Sequence, residues 1–111
     1  MIKTNYEIIK GLVEKRANVK DISIKGKANG ISLVRFVYYQ LCYDYLGESY
    51  AHAEAQKTIN RAHKNSRDGL SKVEKLKGQE FFNPYMMIYV DCGIELLQLE
   101  ARINSLIELT Y

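Results

Sequence analysis

From Tyr85 onward the apolar residues Tyr85, Tyr89, Cys92, Leu96, Leu99, Ile103 and Leu106 follow one another at steps of 4, 3, 4, 3, 4 and 3. Such a row keeps to one side of an α-helix and to no side of a strand. The preceding Asn83-Pro84 reads as a helix start, with Asn as N-cap and Pro in the first turn. A single helix from there to about Leu109 is therefore predicted, long for a chain of 111 residues. Ile88, Ile94, Leu97 and Ile107 flank the row, so the helix offers more apolar surface than one neighbour covers. These four residues are the expected protein interface: self-association through this helix, or docking on a protein partner. Gly93, inside the helix, points to close backbone packing.

The rest of the chain reads as shorter helices. Thr4 with Glu7 forms a capping-box pattern ahead of Ile8, Ile9, Leu12 and Val13, and predicts a helix to about Ala17. Val19–Ile24 is either a short strand, by its alternation, or one helical turn. Lys25–Gly30 is a loop by its Gly and Asn content. Ser32 is the expected cap of a central helix carrying Leu33, Val34, Phe36, Val37, Leu41, Tyr45 and Leu46, which stops at Gly47. Of Tyr38, Tyr39, Tyr43 and Tyr45, not all can face the core from one helix. Ser49 caps a helix through Thr58, and Asn60 caps another through Leu76, with Gly78 just past its end. The fold class is all-α: five to six helices in a single domain spanning 1–111.

Composition narrows the functions. No run of about 18 apolar residues is present, so no membrane span is expected. The opening Met-Ile-Lys-Thr-Asn-Tyr lacks the apolar stretch of a secretory signal. Cys42 and Cys92 stand outside any C-x-x-C or Cys/His pattern, which suits free thiols in the cytoplasm. His52 and His63 are not spaced as metal ligands, and no Gly-Lys-Ser/Thr phosphate loop occurs, so neither metal, cofactor nor enzymatic activity is expected. The charge is uneven. Residues 57–80 carry seven basic side chains against three acidic, and residues 81–111 carry one against four. A basic middle and an acidic end fit one face for an anionic partner.

Within that basic middle, a short Ala-rich helix, a break at Ile59-Asn60 and a helix opening Arg61-Ala62-His63-Lys64-Asn65 have the layout of a helix-turn-helix. Long hydrogen-bonding side chains in the first turns of the second helix are what a recognition helix brings to base edges. The stretch Glu54–Val73 resembles the signature of the C-terminal DNA-binding domain of the bacterial replication initiator DnaA and of its small phage and mobile-element relatives. Glu54, Ile59, Arg61, His63 and Gly69 match it. Upstream, Leu33–Leu41 resembles the long helix of that family, and Lys25 and Lys27 fall where its basic loop lies. The likeness covers about 4–78, with 79–111 as the added long helix. Ala62 stands in place of the signature Asp, Asn65-Ser66 in place of Thr-Val, and Gln56 and Asn60 in place of two Gly, so the initiator's sequence preference does not follow.

The resemblance implies a small DNA-binding protein. Lys25, Lys27, Lys57, Lys64 and Lys72 would meet phosphates, and Arg61, His63 and Asn65 would meet bases, of duplex DNA or of RNA. The alternative expectation is a phage-borne inhibitor that binds a host defence nuclease, such as an anti-CRISPR, on a degenerate helix-turn-helix scaffold.

Overall fold

The computed structural model describes residues 5–23, 30–46, 52–59 and 65–110, and within these the side chains of all but 52–54, 65–68 and 101–110. Among the described residues five helices follow one another: α1 (Asn5–Ala17), α2 (Ile31–Leu46), α3 (His52–Thr58), α4 (Asn65–Leu76) and α5 (Asn83–Thr110), with a 3-10 turn at Glu80–Phe82 leading into α5. The protein is all-helical among the described residues.

α2 is the central helix. It buries Val34, Val37, Tyr38, Tyr39, Leu41 and Cys42, because apolar residues occupy most of its circumference. α1, α4 and α5 all pack on it, so few of its faces reach water. The expected cap at Ser32 is a correction. Gly30 takes a left-handed φ of 82° and its carbonyl accepts from Val34 N–H at 3.1 Å, so the helix begins at Ile31. Glycine reaches that φ without strain.

α1 buries Ile9 and Val13 and stops at Asn18, whose φ is 57°. Asn18 N–H bonds to Lys15 O and Val19 N–H to Glu14 O, at 3.3 and 3.0 Å, while Val19 packs against the core. This is the paired-bond stop motif with its apolar contact, with Asn serving where Gly is commoner. Of the two readings of Val19–Ile24, the strand is not formed over 19–23; Ile22 and Ser23 are turn residues, and Ile24 lies outside the described residues. Local polar groups take its backbone instead: Asp21 accepts from Ser23 N–H and hydroxyl at 2.8 and 2.6 Å, and Glu14 accepts from Ile22 N–H at 2.8 Å. Such short-range bonds compete with a strand ladder. Arg35 Nε donates to Ile22 O at 2.8 Å, which ties the segment to α2 and leaves Ile22 buried.

α5 has the predicted extent, but its start differs. Gln79 is extended, and Asn83, at φ −53° and ψ −43°, is already helical. The chain thus enters through the 3-10 turn rather than through an Asn N-cap. Phe82 is buried in that turn and stacks on Tyr85, ring centroids 5.5 Å apart. One side of α5 lies on α1 and α2 through Tyr85, Ile88, Tyr89, Cys92 and Leu96. Gly93 is buried where the Tyr45 side chain of α2 crosses the helix, as its lack of a side chain suggests. Polar ties hold the same face: Tyr89 hydroxyl with Asp44, Arg16 with Glu95, and Lys15 with Glu95 at 3.9 Å. From Leu97 to Glu100 every residue is exposed, with Leu99 and Glu100 lining a cleft shared with Asn5 and Ile8 of α1 and Tyr45 and Leu46 of α2. The molecule measures 48 × 28 × 27 Å, its long axis close to the ~42 Å that a helix of 28 residues spans.

Candidate nucleic-acid interface

The helix-turn-helix candidate comprises α3 and α4. A seven-residue helix has no stability of its own in water. α3 is held by burial of Ala55 and Gln56, with Ile59 buried just beyond its end. Tyr38 hydroxyl donates to Ala55 O at 2.8 Å from inside the core. Burial is also the main reason the Tyr38 phenol is pushed far above its ordinary range, so it stays a neutral donor.

α4 buries Gly69 and Val73 and half-buries Leu70 and Leu76. These fall at helical spacing on one side and pack against α2. At Gly69 a Cβ would stand 2.6 Å from Tyr39 Cδ2 and 3.0 Å from Phe36 Cδ1, so the helix backbone sits almost on the two rings. Lys72, Glu74 and Lys75 are exposed on α4, and Lys77 is exposed just past its end. Lys72 Nζ lies 5.4 Å from the centre of the Phe36 ring, which steadies its stem, and Lys77 pairs with Glu74 at 2.9 Å. Lys57 is exposed in the last turn of α3. Among the described residues no ion pair holds Lys57, Lys72 or Lys75.

The expected contacts therefore divide. Lys57 and Lys72 are exposed on the unit. Asn65 is the first residue of α4, its side chain outside the description. Lys25, Lys27, Arg61, His63 and Lys64 lie outside the described residues. Of the break expected at Ile59-Asn60, Ile59 is a fully buried turn residue and Asn60 lies outside the described residues. Lys75 and Lys77 were missing from the sequence-derived set. For Lys75 the signal is helical spacing, which sets it away from Val73 and Leu76; Lys77 lies past the end of α4 and has no such signal.

The expected protein interface also changes. Ile94 and Leu97 are 50% and 54% exposed, as expected, and Ile107 lies among the side chains not described. Ile88 packs against the core. It was expected outside because a narrow inner seam was assumed, whereas α1 and α2 together cover a wider arc of α5. Met87 and Val90, 58% and 46% exposed, stand in the outward row instead.

Neither thiol is suited to nucleophilic work. Burial pushes Cys42 up to about 12 and Cys92 up to about 11, and neither side chain reaches solvent. Among the described residues no group of three His, Cys, Asp or Glu side chains is placed to hold a metal ion. No described helix is long and apolar enough to cross a membrane. No known protein family matches this chain, and no curated protein or solved structure is significantly similar to it.

Proposed function

We propose that this protein binds duplex DNA through the α3–α4 unit. The observation that carries the reading is the outward trio Lys57, Lys72 and Lys75. It sits on two helices that bury Ala55, Gln56, Gly69 and Val73, with no carboxylate among the described residues pairing with it. Unpaired lysines on a rigid support are what phosphate contacts require. The acidic side chains of α5 lie elsewhere, and Glu95 is already engaged by Arg16 and Lys15. On this reading Lys57, Lys72 and Lys75 set affinity. Arg61, His63 and Asn65, together with the loop lysines Lys25 and Lys27, add base and groove contacts of the kind the DnaA-like resemblance implies.

The test is fluorescence anisotropy with a labelled duplex of mixed sequence, followed by selection of preferred sites. Arg61→Ala is expected to lose about 1–3 kcal/mol on the selected site and to relax preference at one base position. Absence of binding to any duplex at low salt, with the protein at micromolar concentration, would overturn the reading.

A further inference from the structure

We infer that the cleft between α1, α2 and α5 binds a small organic cation, an alkylammonium with an apolar chain of about eight carbons. The inference does not rest on the DNA-binding reading, since no described residue of α3 or α4 lines this cleft. The cleft holds about 350 Å³. Its apolar walls are Ile8 and Ile9 from α1, Leu46 from α2, and Leu96 and Leu99 from α5. Ile9 is 1% exposed and closes the floor, whereas Leu99 is 37% exposed and stands at the mouth.

Volume and wall chemistry select the body of the ligand. A held water needs two to four polar partners, and five aliphatic side chains provide none. Hydrocarbon fills such a space better than water does. The volume lies near the lower end of the range of small-molecule sites, which fits a ligand of on the order of ten heavy atoms. One turn of helix, about 5.4 Å long and 10 Å across, already exceeds it, so the occupant is a small molecule rather than a folded segment.

Charge selects the head group. Glu100 lines the cleft and is exposed, and among the described residues no ion pair holds it. No Lys, Arg or His is among the described residues lining the cleft. A carboxylate accepts hydrogen bonds and donates none, and an ammonium offers three donors. Tyr45 adds an aromatic ring, whose face favours a cation, and Asn5 adds an amide oxygen that also accepts. An anion would meet Glu100 with no described cation to offset it. Glu100 follows Leu99 directly, so the head group sits at the mouth while the chain runs down toward Ile9.

Isothermal titration calorimetry of the full chain with hexyl-, heptyl- and octylammonium, each below its micelle-forming concentration, tests this. Affinity should rise about fourfold per added methylene. Octylammonium should bind about threefold tighter than octanoate, and Glu100→Gln should remove that preference while leaving the binding of 1-octanol unchanged. Leu99→Trp, at a position that tolerates a larger side chain because it is 37% exposed, should fill the mouth and abolish binding of octylammonium and 1-octanol with unchanged helical circular dichroism. No binding of octylammonium at millimolar concentration would overturn the proposal. So would octanoate binding equally well, or octylammonium binding undiminished by Leu99→Trp. A nuclear Overhauser contact between the methyl groups of Ile2 and Leu99 in the free protein would overturn it too, since the chain itself then fills the cleft.

Discussion

At Gly69 there is no room for a methyl group, and the atoms in the way belong to aromatic rings packed in the core. Tyr39 is 1% exposed and cannot swing aside. Gly69→Ala gains about 1 kcal/mol of helix propensity, but overpacking costs about 1–3 kcal/mol. A net loss of stability and a lower Tm in a circular-dichroism melt are expected. Gly93→Ala is the contrast. Only the end of the Tyr45 side chain stands in the way, and Tyr45 is 37% exposed and free to turn outward. Its Tm should change little.

Asp21 carries a pH dependence. The Ser23 hydroxyl and N–H, with Lys10 at 3.0 Å, hold its carboxyl well below the usual carboxylate range. A carboxyl with a depressed folded value stabilises the fold at every pH above its unfolded value, near 4, and loses that contribution as pH falls further. The side chain is 44% exposed, so the amount is under about 1 kcal/mol. Stability measured by urea unfolding should therefore decline below about pH 4, and Asp21→Asn should flatten part of that decline while lowering stability at neutral pH.

Among the elements, α3 depends most on its neighbours. Tyr38→Phe removes the donor to Ala55 O and is expected to destabilise by about 1–2 kcal/mol. Hydrogen exchange should show the amides of α3 losing more protection than those of α5. Equal loss in both helices would mean that the hydroxyl does not anchor α3.

What could be read in advance follows the same logic. α1, α2 and α5 were legible because each repeats apolar residues at helical spacing, over about a turn and a half in α1 and over three turns or more in α2 and α5. Their starts were not. Ser32 and Asn83 are good caps by type, but Gly30 begins α2 by backbone conformation alone, and the turn at Glu80–Phe82 is wound before Asn83 is reached. Asn18 was overlooked because the stop depends on its left-handed φ and on the bonds from Asn18 to Lys15 and from Val19 to Glu14, which only the folded chain shows. Val19–Ser23 alternates like a strand, yet Glu14, Asp21 and Arg35, two of them on neighbouring helices, claim the backbone groups a ladder needs. At the site, charge pointed to the α3–α4 region. Which lysines face outward could be settled only by knowing which side of α4 rests on Phe36 and Tyr39.

Taken whole, the molecule joins a lysine-bearing helix pair and the long helix α5 through one buried apolar core. The proposed binding by the lysines would have a quantitative signature, because each neutralised phosphate releases counterions and contributes about 0.9 to the slope of log affinity against log salt. The deciding measurement is that slope on a duplex of fixed sequence, for wild type and for the Lys72→Ala, Lys75→Ala double variant. The account predicts a steep slope for wild type and one shallower by about 1.8 for the variant. Undiminished affinity and slope in the variant, or no binding by wild type at low salt, would contradict it.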